Sequence, residues 1–152
     1  MIEPFLGVRR LYVDANIIIY LLEESVVFSG SVAIAFGLAQ QVGAKIFTSE
    51  ITITECLNGA YRNKNPKLVR LYLDIFGDKN FITLIPIHLT ICIEAAKLSA
   101  EQGLKTIDAI HFASSVAVEC DAFLTNDGRF KSNENIRVLQ LSQFSGVPLK
   151  VT

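Results

Sequence analysis

Cysteine is scarce in this chain and poorly spaced for structural work. Cys56, Cys92 and Cys120 are odd in number, widely separated and set among apolar neighbours. That excludes a disulfide framework and predicts reduced core thiols in a cytoplasmic protein. Histidine is scarcer, with only His88 and His111, so a zinc centre would lack ligands even though His88 and Cys92 stand one helical turn apart. There is no basic excess: 14 Lys and Arg against 15 Asp and Glu leave a net charge of −1. Any contact with nucleic acid therefore has to come from local patches, not a global field. No Gly-x-Gly-x-x-Gly follows the first candidate strand, which disfavours a dinucleotide-binding domain. The opening MIEPFLGVRR has an early Glu and Pro and no continuous apolar core, so it does not read as a signal peptide. Residues 25–44 carry no charge and approach the roughly 20 residues of a membrane span. Their Ser, Gln and Gly content instead predicts a buried or interface helix starting near Ser29 or Ser31, and no membrane association.

What is present is apolar and regularly alternating. A chain of 152 residues fits one domain, 1–152. Its 51% hydrophobic content predicts apolar surface covered by a partner, a second copy of the chain being the simplest. Short β-branched or aromatic runs at 10–14, 45–48, 81–85, 122–125 and 136–139 read as strands. Longer helical runs at 15–24, 30–42, 51–63, 66–77, 88–102 and 107–120 lie around and between them. This is the α/β pattern of βαβ units with a parallel sheet covered by helices. Pro66 suits a first helical turn, so the third and fourth helices form a hairpin, and Arg62, Lys64, Lys67 and Arg70 cluster on it.

Acids recur at the ends of these elements. Asp14 ends the apolar run Leu11–Val13, where it either caps the next helix or faces a ligand beyond the carboxyl edge of the sheet. Asp127 follows the strand of DAFLTNDGRF, where Asn-Asp-Gly is equally a turn signal. Asp108 lies in the first turn of a helix opening near Thr106, a position any helix dipole favours. Glu55 follows the second strand, and Thr52 to Glu55 fits a capping box. His111 reads as a partly buried histidine without identifiable partners. Together, four acids gathered at one sheet edge would repel and raise one another's pKa values, which makes sense chiefly around a hard divalent cation.

The stretches VDANIII, ITITECL, TIDAIHFASS and FLTNDGRF, with Asp14, Glu55, Asp108 and Asp127, resemble in order and spacing the four acidic motifs of the PIN-domain ribonucleases. The nearest branch is similar to the VapC-type toxins of bacterial and archaeal toxin–antitoxin pairs. The resemblance spans about Leu11 to Leu139. It implies a PIN-like α/β/α sandwich around a central parallel sheet of about five strands. It also implies an endoribonuclease using Mg2+ or Mn2+, held by Asp14, Asp108 and Asp127, with Glu55 binding a second metal or orienting water. Asn16, Thr125 and Asn126 would support the metal site, Phe130 would pack behind the last acid, and RNA and an antitoxin would be the partners. Arg9 and Arg10 precede the matching region and inherit no role. Two rivals stand beside this reading. One is a non-catalytic PIN-like module that binds RNA or protein. The other is a phosphatase with an aspartyl nucleophile, disfavoured because Asn16 occupies the place of a second Asp.

Overall fold

The computed structural model describes residues 2–145, so the ends of the expected 1–152 domain lie outside the described residues. Five strands form one sheet: β1 Arg10–Val13, β2 Lys45–Ser49, β3 Thr83–Ile85, β4 Ala122–Thr125 and β5 Arg137–Gln140. Six helices join them: α1 Ala15–Leu22, α2 Ser29–Gln41, α3 Glu50–Arg62, α4 Pro66–Phe76, α5 Leu89–Gln102 and α6 Thr106–Ala117. Every strand pairs in parallel, in the order β3-β2-β1-β4-β5. The chain winds outward from β1 through β2 to β3 and then crosses back to β4 on the other side. The crevice between the carboxyl ends of β1 and β4 is therefore the switch point where such sheets bind ligands.

Strand alternation separates two cores. Leu11, Val13 and Leu124 pack on one face against Ile17 and Ile18 of α1, Val32 and Ala35 of α2, Cys56 of α3 and Tyr72 of α4. Tyr12, Phe47 and Phe123 point to the other face, against Ile91 and Ala95 of α5 and Ala109 and Phe112 of α6. Helices cover both faces, giving the expected α/β/α sandwich. The uncharged segment forms α2, which starts at Ser29 and buries Val32, Ala35 and Ala39. No helix among the described residues is long and apolar enough to cross a membrane.

Local chemistry explains the boundaries that differ from expectation. The first helix stops at Leu22 and Glu24 turns left-handed at φ 50°, while α6 ends at Ala117 with Glu119 at φ 55°. β3 is shorter than 81–85 because the amides of Phe81 and Ile82 are taken by the Asp78 carbonyl. The expected Thr52–Glu55 capping box is absent: α3 begins earlier, capped by the Ser49 hydroxyl, which accepts the Ile51 amide at 3.1 Å. Thr52 is instead buried against Thr48, oxygen to oxygen at 2.6 Å. Cys56 and Cys120 are core thiols as expected, but Cys92 is exposed on α5. Ahead of the sheet, Phe5 and Val8 join the core, and the Asp121 carboxylate accepts the backbone amides of Arg9 and Arg10 at 2.8 and 2.9 Å.

Candidate functional site

Asp14 is a helix cap that also stands at the carboxyl edge of the sheet. It is the N-cap of α1, its Oδ1 accepting the Ile17 amide at 3.3 Å, and it lies at the β1–β4 crevice. Across that crevice the Thr125 hydroxyl donates to Asp14 Oδ2 at 2.7 Å. The same hydroxyl accepts the Asp127 amide at 3.0 Å, so one threonine fixes the positions of both acids. Next to it, Asn126 donates to the Tyr20 hydroxyl at 3.2 Å, and Gln140 Nε2 donates to the Asp127 carbonyl at 3.0 Å. Asn16 is exposed in the first turn of α1. Phe130 is buried with Phe123 and Phe112, at ring separations of 4.8 and 6.0 Å.

Asp108 and Asp127 are joined by a residue the sequence reading did not identify. Arg129 Nη2 contacts Asp127 Oδ2 at 2.5 Å and Asp108 Oδ2 at 3.1 Å, and its Nε reaches both oxygens of Asp127. The expectation of acids without a counter-charge is therefore corrected: a guanidinium stands between two of them. A basic residue two positions beyond the last acid, in an Asp-Gly turn, was the available signal.

Glu55 lies on α3 and receives His111 from α6, Nε2 to Oε1 at 2.7 Å. His111 is thus fully buried with two partners, the second being the Tyr12 hydroxyl at 2.6 Å from Nδ1. That replaces the expected partly buried histidine without partners. The four acids are held by separate partners, Asp14 by Thr125, Glu55 by His111, and Asp108 and Asp127 by Arg129. Among the described residues no three Asp, Glu, His or Cys side chains stand at metal-holding spacing. They do share one electrostatic field, since the charge of Glu55 reaches both Asp14 and Asp108, and that of Asp127 reaches Asp108.

The acids also titrate differently from a mutually repelling cluster. Burial pushes Asp14 up, opposed by the Thr125 and Ile17 hydrogen bonds. Asp108 is also raised, by burial first, with Arg129 pulling it down and Asp127 adding to the rise. Asp127 moves the other way, lowered by its hydrogen bonds from Arg129. Desolvation outweighs repulsion here. For Asp14 and Asp108, the folded state holds protons more tightly than the unfolded state. Their contribution to stability is therefore full below the unfolded value of about 3.9 and is lost as pH rises through the raised folded values. The Asp127 contribution is present above about 3.9 and is lost as pH falls through its lowered value. Replacing Asp108 with Asn should flatten the decline above pH 4 in chelator, although the lost Arg129 contact offsets part of the gain. Thermal melts at pH 4.5 and 7.5 check this, and an undiminished decline in the variant would remove Asp108 as its source.

The basic cluster lies elsewhere on α3 and α4. Arg62, Lys64, Lys67 and Arg70 are all exposed around the hairpin, with Lys64 at φ 52° and Asn65 capping α4 through the Leu68 amide at 3.1 Å. Along α3, Arg62 stands about 10 Å from Glu55 by helical rise. Lys64 and Arg70 line a groove of about 660 Å³ with Tyr61, Val69 and Leu73.

Solved structures share this architecture. A chain of VapBC2 from Rickettsia felis, bound to a promoter DNA fragment, aligns with a TM-score of 0.67 at 18% identity, covering 86% of this chain and 98% of its own. A chain of DNA-bound VapBC from Salmonella typhimurium aligns at 0.66 and 16% identity, over 88% and 98%. One from a toxin–antitoxin complex of Klebsiella pneumoniae aligns at 0.58 and 21%, over 86% and 97%. At these identities the likeness is one of fold. No curated protein matches the sequence. The PIN domain family matches residues 11–135, a span that runs from β1 past β4 and contains Asp14, Glu55, Asp108 and Asp127, and the chain belongs to that family.

Proposed function

We propose that the protein, read as one domain over 1–152, is a metal-dependent endoribonuclease that hydrolyses RNA phosphodiesters. The observation that carries this reading is a set of acids sharing one electrostatic field at the sheet's switch point, with Asp14 desolvated against Thr125. An all-oxygen donor set suits a hard cation such as Mg2+ or Mn2+. Asp14, Asp108 and Asp127, with Glu55 beside them, would hold it. When bound, such an ion polarises the phosphodiester and acidifies a water. The chain's own residues do the rest. Thr125 holds Asp14 and Asp127 in register, Asn126 fixes the turn after β4 through Tyr20, and Asn16 offers an exposed amide beside Asp14. Arg129 neutralises Asp108 and Asp127 when they are without metal. As it lies half exposed beside both acids, it is a cation available to an RNA phosphate once released from them.

The same reading makes the protein the toxin of a toxin–antitoxin pair, acting in the cytoplasm and restrained by a cognate antitoxin. Its support is the fold shared with the VapBC chains. A homodimer would cover part of the apolar exposed surface, which includes Leu71 and Leu73 of α4. Light scattering tests that, and a monomer at all concentrations would contradict it.

Purified protein incubated with total RNA in magnesium or chelator tests the activity. New RNA ends at defined positions, in magnesium only, are expected. RNA that is retained but intact would favour the binding module instead. A phosphorylated aspartate would favour the phosphatase, since a water-activating nuclease forms none. The hairpin makes a separate prediction. If Lys67 contacts RNA phosphate, Lys67→Gln should reduce the salt slope of binding by about 0.7. An unchanged slope in filter-binding assays would leave Arg62, Lys64, Lys67 and Arg70 as solvated surface.

A further inference from the structure

Three buried groups outside the acidic set form an unbroken hydrogen-bonded chain that ends on Glu55. The Ser49 backbone amide donates to the Tyr12 hydroxyl at 3.1 Å, Tyr12 meets His111 Nδ1 at 2.6 Å, and His111 Nε2 meets Glu55 Oε1 at 2.7 Å. Tyr12, Ser49 and His111 are almost completely shielded from solvent, whereas the Glu55 side chain is 31% exposed. We propose that Tyr12 and His111 are positioning residues that hold the Glu55 carboxylate in one orientation at the acidic cleft. This rests on the nuclease reading and deepens it by giving Glu55 a fixed placement.

The direction of each hydrogen bond follows from counting donors. A backbone amide can only donate, so the Tyr12 oxygen accepts from Ser49. The phenolic proton is then directed to His111 Nδ1, which must carry a lone pair. Nε2 then carries the proton donated to Glu55. In the opposite tautomer, two lone pairs would face each other across 2.7 Å. One arrangement satisfies every group.

Its anchors lie on separate elements. Tyr12 is in β1, clamped by Phe123 stacked at 4.9 Å and 13°. Ser49 closes β2 and caps α3, and His111 comes from the middle of α6. The relay therefore ties the sheet and two helices to one oxygen of Glu55. A long carboxylate side chain left alone samples several rotamers, while one held through a fixed histidine is already placed when substrate arrives. Removing such a partner typically costs 10- to 100-fold in activity or metal affinity.

The test has two arms. In the first, nitrogen NMR reads the tautomer of His111, assigned in a His88→Gln background because the chain holds only two histidines. A protonated Nε2 and bare Nδ1 are expected, and a ring without that tautomer would overturn the relay. In the second, RNA cleavage in magnesium is compared for wild type, Tyr12→Phe, His111→Phe and His111→Gln. The Tyr12 and His111→Phe variants should lose roughly 10-fold or more in kcat with KM for RNA unchanged. His111→Gln, which keeps a donor for Glu55, should recover much of that loss. In a Glu55→Gln background, Tyr12→Phe should add nothing further. Equal losses in His111→Gln and His111→Phe, or full activity in Tyr12→Phe, would overturn the positioning role. If Tyr12→Phe does not fold, the His111 pair decides. Wild type that cleaves no RNA overturns the nuclease reading and with it the catalytic use of the relay, while the tautomer still judges the hydrogen-bonded chain itself.

Discussion

Replacing Asp14 with Asn should lower magnesium-dependent RNA cleavage by roughly 10² to 10⁴ while leaving the protein folded. The size follows from the chemistry assigned to the acids: a cation that stabilises transition-state charge is worth several kcal/mol, and an amide is a poor ligand for it. The preserved fold follows from local structure. Asp14 has two oxygens serving two donors, the Ile17 amide at 3.3 Å and the Thr125 hydroxyl at 2.7 Å. Asn keeps one oxygen and remains a good cap, so the loss should be about 1 kcal/mol. Asp108→Asn and Asp127→Asn should show losses of the same order, the latter also releasing Arg129. Cleavage within twofold of wild type in any of the three, by initial rates on one RNA, would remove that residue from the site.

Phe123→Ala should have the largest effect on stability, about 3 to 5 kcal/mol, a substantial part of the roughly 5 to 15 kcal/mol that holds a domain together. Phe123 is fully buried at the middle of β4. Its ring lies 4.9 Å from Tyr12, 5.4 Å from Phe112 and 4.8 Å from Phe130. Alanine would open a cavity behind the strand that ends in Thr125 and free the ring clamping Tyr12, so activity should fall along with stability. Leu71→Ala, at an exposed position on α4, should change stability by no more than about 0.5 kcal/mol. Urea unfolding separates the two. A Phe123→Ala cost under about 1 kcal/mol would mean that the β4 face is not packed as described.

The fold was legible because its determinants are periodic and local. Apolar runs of strand length alternated with helical ones, and Pro66 and the Asn-Asp-Gly turn marked real boundaries. The positions of Asp14, Asp108 and Asp127 followed from the same pattern, since each lies one to three residues from an element end. What escaped was long-range. Tyr12 alternates with Leu11 and Val13 and so faces the opposite core, and a buried phenol needs a polar partner. Nothing nearby in the chain identifies that partner as a histidine 99 residues on. Arg129 lies near Asp127 in sequence but acquires meaning only when α6 brings Asp108 beside it. The capping box failed for a simpler reason: Ser49, the last residue of the strand, took the cap before Thr52 could.

If these acids make a metal-dependent ribonuclease, cleavage must follow a magnesium titration and require Asp127. Wild type and Asp127→Asn are incubated with one end-labelled RNA, from chelator alone through rising magnesium. The account predicts no cleavage in chelator, saturating cleavage by wild type as magnesium rises, and little or none by the variant throughout. Cleavage by wild type in chelator, or equal cleavage by both proteins across the titration, would contradict it.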